Sequence, residues 1–162
     1  MANAYLSLGT NLGDKQNNLM RAIALLSERA GSIVALSGLY ETEPWGFHSE
    51  NRFLNVALQL QTTREPMELL GIARLIEIEM GRIVKSSGGQ YEDRLIDIDL
   101  LLYDDLVMQS DVLTLPHPHM HKRLFVLEPM AEIAPDLVHP VLHKTMKELL
   151  ETICTEKRSR RR

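Results

Sequence analysis

Residues 94–103 read RLIDIDLLLY, and this stretch limits the fold more than any other. It is aliphatic, ends in an aromatic residue and lacks Gly and Pro, which is the composition of a β-strand. Two aspartates interrupt it, although Asp is a poor strand former and costs free energy when buried without a partner. Side chains alternate along a strand, so Ile96, Ile98, Leu100 and Leu102 share one face. Asp97, Asp99, Leu101 and Tyr103 share the other. At a rise of about 3.4 Å per residue, the aspartate Cβ atoms stand roughly 7 Å apart. One face must enter a core, and the other must bring water or a cation to two carboxylates.

The chain can supply that core. Its 162 residues are 44% hydrophobic and 25% charged, which suits one globular domain. No apolar run reaches the ~18 residues that span a bilayer, and MANAYLSLG lacks the basic start and long apolar stretch of a secretory signal. A single cysteine, Cys154, excludes an internal disulfide framework and a cysteine-based zinc cluster. These features make a cytoplasmic location the expectation, with no membrane contact. The net charge of −4 is unevenly spread. The final EKRSRRR carries five basic groups and one acid, a net +4, which leaves −8 on the rest. An acidic body argues against nucleic-acid binding. Residues 1–155 are therefore expected to form one domain, and 156–162 a basic, disordered tail.

Hydrophobic periodicity orders the elements. Ala4, Leu6 and Leu8 mark a first strand ending at Gly9, and Leu19, Ala22, Ile23 and Leu26 mark a helix after the turn GTNLGD. SIVALSGLYET reads as one strand closed by Pro44, EPWGFHSEN as a loop, and FLNVALQLQT as the most regular strand. Pro66 suits the first turn of a helix whose stripe is Leu69, Ile72, Ala73, Ile76 and Met80, ending near Gly81. After RLIDIDLLLY come a short hairpin over 106–115, the segment LPHPHMHKRLFVLEP and a last helix over about 145–153. The order β-α-β-β-α-β predicts an α+β, ferredoxin-like fold with a largely antiparallel sheet. A helical C-terminal third on the opposite face would make it a three-layer α/β/α structure.

Several side chains carry chemistry. Asp97 and Asp99 suit a solvent-facing strand or a divalent-metal site, since Mg²⁺ takes one or two carboxylates together with substrate phosphates. Arg94 stands three residues before Asp97 and Arg82 closes the preceding helix, either as surface charges or as groups that stabilise a transferring phosphoryl. No P-loop or G-x-G-x-x-G is present. His117, His119 and His121 alternate in PHPHMH; a zinc cluster is one reading, and a single histidine contacting a phosphate, helped by Arg123, is the other. Trp45, Phe47 and Phe53 crowd one short region with Asn55. They suit either a loop packed on the core or a slot for a flat heteroaromatic ring.

In order along nearly the whole chain, YLSLGTNLGD, LYETEPWG, FLNVAL, IEIEMGR, DRLIDIDLLLY and LTLPHPHMHKRLFVLEPMAEIAPDL resemble the 6-hydroxymethyl-7,8-dihydropterin pyrophosphokinase family. The resemblance implies transfer of pyrophosphate from ATP to the hydroxymethyl group of 6-hydroxymethyl-7,8-dihydropterin, with release of AMP, in folate biosynthesis. It implies that Asp97 and Asp99 bind two Mg²⁺ ions, and that Arg82 and Arg94 assist transfer from a loop over 83–93 that closes on the substrates. Glu77, Thr114, His117 and Arg123 match positions lining the ATP site. Thr42, Trp45, Phe53, Asn55 and Phe125 match the pterin pocket, with Phe53 and Phe125 as the rings that sandwich the pterin. Tyr91 stands in for a tryptophan common in relatives, and Arg74 stands where a glutamine is common. A noncatalytic ferredoxin-like module that holds a nucleotide or metal is the rival expectation.

Overall fold

The strand with the cleanest alternation is also the hub of the sheet. In a computed structural model that describes residues 1–42, 52–81 and 95–160, FLNVALQLQT forms β4, Phe53–Thr62. It pairs antiparallel with β1, Ala2–Thr10, on one side and β2, Ser32–Leu36, on the other. RLIDIDLLLY contributes β5, Asp97–Tyr103, antiparallel to β1. The order β2-β4-β1-β5 is that of a ferredoxin-like sheet, and β3, Tyr40–Thr42, extends the β4 pairing beyond β2.

SIVALSGLYET is therefore two strands rather than one, and Ser37 divides them. Its backbone N–H donates to the Ala57 carbonyl at 2.9 Å, while its hydroxyl accepts from the Ala57 N–H, also at 2.9 Å. The side chain replaces a backbone carbonyl in the ladder, so the chain turns at residues 37–39 without leaving a buried amide unpaired.

The helices start and stop where local chemistry directs. Helix α1, Lys15–Arg29, is capped by Asp14, whose carboxylate accepts from the Asn17 N–H at 3.1 Å. Helix α2, Pro66–Glu79, opens on Pro66 and is followed by Gly81 at φ +112°, a backbone conformation that favours glycine. Both lie on one face of the sheet. Leu19, Leu26, Leu69 and Ile76 meet Leu6, Leu8, Leu58 and Ile98 there in the larger core.

The opposite face carries two further helices, completing three layers. Helix α3, Leu124–Ile133, begins inside LPHPHMHKRLFVLEP, for which the pattern gives no element; its sixth residue is Pro129, which removes one ladder hydrogen bond. Burial of Val126, Leu127, Pro129 and Met130 holds it in place. Helix α4, Met146–Arg160, opens on a reciprocal pair: the Thr145 N–H donates to Glu148 Oε1, and the Glu148 N–H to the Thr145 hydroxyl. The helix expected to end near Ile153 thus continues to Arg160, so residues 156–160 of the expected disordered tail are helical. No Pro or Gly follows Ile153 to stop it, and basic residues are favourable at a helix C-terminus. Leu127, Met130, Met146, Leu149 and Ile153 form a second core with Tyr5, Ala57, Leu101 and Leu102.

Membership of the two cores corrects the expected alternation of β5. The β1–β5 register shifts between Tyr5 and Leu6, so that Leu6 faces Leu100 but Tyr5 faces Leu102. Beyond that bulge Leu102 joins the α3–α4 core and Tyr103 packs against the α1–α2 core, the reverse of simple alternation. Asp97 and Asp99 precede the bulge and keep the same face. The hairpin expected over 106–115 is present as β6, Met108–Gln109, paired with β7, Thr114–Leu115. Among the described residues, no helix is long and apolar enough to cross a membrane.

Candidate functional site

The β1–β5 and β1–β4 registers draw a row across three strands, Asp97 opposite Gly9 and Gly9 opposite Asn55. One step along, Asp99 faces Ser7, and Ser7 faces Ala57. With neighbouring strands about 4.8 Å apart, the Asp97 and Asn55 backbones stand roughly 10 Å apart across the sheet face that carries α3 and α4. Gly9 lies between them. A Cβ there would come within 2.9 Å of Asn55 Oδ1 and 3.6 Å of the Phe53 ring. Glycine therefore keeps open the floor between the acid pair and the Phe53–Asn55 pair. Residue patterning missed this role, because it depends on what β4 places opposite Gly9.

Asn55 is buried, and its Nδ2 donates to the Thr42 hydroxyl at 2.8 Å. Thr42 lies opposite Phe53 in the β3–β4 pairing, so Thr42, Phe53 and Asn55 form one cluster as expected. Phe125, in the first turn of α3, holds its ring centroid 5.7 Å from the Arg123 guanidinium carbon, a cation–π contact.

Around the acids, Asp99, Thr114, His117 and Arg74 line one cavity of about 220 Å³ between α2, β5 and the segment after β6. Burial and the neighbouring Asp97 carboxylate push the Asp99 carboxyl well above the usual carboxylate range, and the positive charges of Arg74 and Arg123 partly offset this. The Asp99 charge is thus incompletely offset, which is the condition a bound divalent cation relieves. Two hard carboxylates on one strand face fit Mg²⁺.

His117 is neutral. Burial and then Arg123 push its pKa down to about 4, and the His119 N–H donates to its Nδ1 at 3.1 Å, which leaves the ring proton on Nε2. Its backbone N–H donates to the Leu101 carbonyl at 2.8 Å, fixing it to β5. The three alternating histidines diverge: His117 contacts His119 edge-on, and His121 contacts His139. Among the described residues no three His, Cys, Asp or Glu side chains gather in a metal-holding group.

Glu77 reaches the acid pair from below. It is 1% exposed; its Oε2 accepts from the Ile98 N–H at 2.8 Å and its Oε1 from Arg74 Nη1 at 2.6 Å. Arg74 Nη1 also donates to the Ile98 carbonyl at 3.0 Å. Trp45, Arg82, Tyr91, Arg94 and the loop over 83–93 lie outside the described residues.

A ferredoxin-like α+β protein with paired carboxylates beside cationic, imidazole and aromatic side chains is the class that fold and site define. The family model of 7,8-dihydro-6-hydroxymethylpterin-pyrophosphokinase (HPPK) matches residues 5–135. A 2-amino-4-hydroxy-6-hydroxymethyldihydropteridine pyrophosphokinase of Porphyromonas gingivalis is 49% identical over 141 residues, covering 86% of this chain and 95% of the relative. One from Aquifex aeolicus is 40% identical over 148 residues, covering 91% and 90%. Among solved structures, Plasmodium falciparum HPPK-DHPS with pteroate superposes with a TM-score of 0.74 at 16% identity, over 93% of this chain and 44% of that one, a likeness of fold. The chain belongs to the HPPK family. It is a diphosphotransferase of folate biosynthesis, with ATP as co-substrate.

Proposed function

We propose that pyrophosphate passes from ATP to the hydroxymethyl group of 6-hydroxymethyl-7,8-dihydropterin across the strip of sheet between Asp97 and Asn55. The observation that carries this reading is the row Asp97–Gly9–Asn55, which sets a carboxylate and a buried amide on either side of a residue without a side chain. Asp97 and Asp99 would hold Mg²⁺, two ions on this reading, which would neutralise phosphate charge and polarise the transferred group. Thr114, His117 and Arg123 face the nucleotide, with neutral His117 donating from Nε2, and buried Glu77 supports the strand that carries the acids. Thr42, Phe53, Asn55 and Phe125 receive the pterin, the two rings stacking on its faces and the Asn55 side chain meeting its edge.

The pterin alcohol oxygen attacks the β-phosphorus and AMP leaves. None of the described side chains is cast as a general base, since orientation and electrostatic stabilisation carry most of a phosphoryl transfer. Arg82 and Arg94 supply further positive charge to the phosphates, and Trp45 and Tyr91 complete the pterin pocket. A cytoplasmic location fits the use of ATP. A noncatalytic module would not need the acid pair and the Asn55 pocket on one face.

Replacing Asp97 or Asp99 by Ala should cut turnover by roughly 10²–10³-fold, the usual loss when a group stabilising transition-state charge is removed. Thermal stability should hold or rise, because one of two repelling acids is gone. Near-normal turnover in either variant would refute the metal assignment.

A further inference from the structure

We propose that Arg74 and Glu77 are positioning residues, a side-chain brace that substitutes for a neighbouring strand at Ile98 and so fixes the strand segment carrying Asp97 and Asp99. The proposal rests on the acid pair being the metal site.

Among the described strands, β5 lies at the edge of the sheet. In an antiparallel strand each residue turns its N–H and its carbonyl to the same side, and successive residues turn to opposite sides. Ile98, between the two aspartates, turns both groups away from β1, where an edge strand normally meets water or another strand. Here the N–H reaches Glu77 Oε2 at 2.8 Å and the carbonyl accepts from Arg74 Nη1 at 3.0 Å. The link between Arg74 Nη1 and Glu77 Oε1, at 2.6 Å, closes the ring. A carboxylate and a guanidinium three residues apart on α2 thus present one acceptor and one donor to β5, as a strand residue would.

Side chains that leave a strand face in step diverge or converge with the local twist, so the Ile98 peptide groups set the separation of the Asp97 and Asp99 carboxylates. Holding that segment from both sides, by β1 and by the brace, limits its twist before any metal arrives. The Arg74 side chain is 43% exposed and Glu77 is 1% exposed, so the two act from different depths. Glu77 is spent on the backbone, while Arg74 also borders the cavity shared by Asp99 and His117. Glu77 thus serves the nucleotide site through the strand, by holding the residue between the two metal-binding acids.

Three variants test this: Glu77→Gln, Arg74→Gln and Arg74→Lys. Two quantities are read without turnover, the hydrogen exchange of the Ile98 amide in ligand-free protein and Mn²⁺ affinity by electron paramagnetic resonance with α,β-methylene ATP. Glu77→Gln puts an amide N–H against either Ile98 or Arg74 and breaks the ring. Faster Ile98 exchange and Mn²⁺ binding weakened about 10- to 100-fold are expected, the range seen when a partner of a metal ligand is lost. In steady state kcat should fall and KM for Mg-ATP should rise with the lost metal affinity, because metal and nucleotide binding are linked, while binding of metal-free α,β-methylene ATP stays nearly constant. Arg74→Gln should act in the same direction, and Arg74→Lys, which can still bond both partners from a tolerant, half-exposed position, should recover most of the Mn²⁺ affinity.

Unchanged Mn²⁺ affinity in Glu77→Gln and Arg74→Gln would overturn the brace as a positioning device. So would weakened binding of metal-free α,β-methylene ATP in Glu77→Gln with Ile98 exchange unaltered, which would make Glu77 a direct nucleotide contact. Failure of the wild-type protein to bind Mn²⁺ would instead refute the acid pair as the metal site, and the proposal with it.

Discussion

Gly9 shows how a missing side chain defines a site. A methyl group there would meet Asn55 Oδ1 at 2.9 Å, a contact the Asn55 side chain can relieve only by shifting. Because Asn55 Nδ2 is bonded to Thr42, the shift would spread to the Thr42–Phe53 pair, the side proposed to receive the pterin. Gly9→Ala should therefore raise KM for the pterin by on the order of tenfold and leave KM for ATP nearly unchanged, since small misplacements of positioning groups have large kinetic costs. Steady-state kinetics with each substrate varied in turn would check this, and an equal rise in both KM values would count against it. Residue patterning singles out Asp97, Asp99 and Asn55, because two acids and an amide on apolar strands stand out against their neighbours, whereas Thr42 enters only with the family resemblance. It could not reach Gly9 or the Ile98 brace, whose meaning lies in what another strand or helix brings alongside.

At the level of elements, local pattern was informative where a residue's role is decided by its neighbours in sequence. Pro66 opens α2 for reasons contained in a few residues. The split of β2 from β3 depends on Ser37 bonding Ala57 of another strand, and the reversal of Leu102 and Tyr103 on a bulge in the β1–β5 pairing. Helix α3 was hidden by Pro129, whose lost hydrogen bond is offset by burial that only the folded chain shows. The end of α4 carries a prediction. Its last buried core residue is Ile153, and the basic residues 157–162 follow it. A chain stopped after Glu156 should keep its turnover and its affinity for both substrates. A large loss of turnover would mean that the basic end contributes to the site.

Across the whole molecule, two cores on opposite faces of one sheet anchor the site differently. The α1–α2 core carries the brace beneath β5, and the α3–α4 core carries Arg123 and Phe125 above it. The segment between α3 and α4 contains a pH-sensitive support. His139 is buried, with its Nδ1 accepting from the Val141 and Leu142 N–H groups at 3.3 and 3.1 Å. Burial, and then the nearby His121 and His143, lower its pKa. A depressed folded pKa means the unfolded chain takes up the proton first, so this contribution is complete above about pH 6.5 and is lost as pH falls below it. His139→Asn keeps an acceptor without a titrating ring, so its melting temperature should fall less than the wild type's between pH 7 and 5. Parallel curves would remove His139 as the cause.

The central claim, that this sheet face moves pyrophosphate rather than a single phosphoryl group, is tested most directly by the nucleotide product. Incubation with Mg-ATP and 6-hydroxymethyl-7,8-dihydropterin should yield AMP in equal amount to the pterin diphosphate, and no AMP when the pterin is left out. ADP as the product, or AMP formed equally without the pterin, would contradict the account.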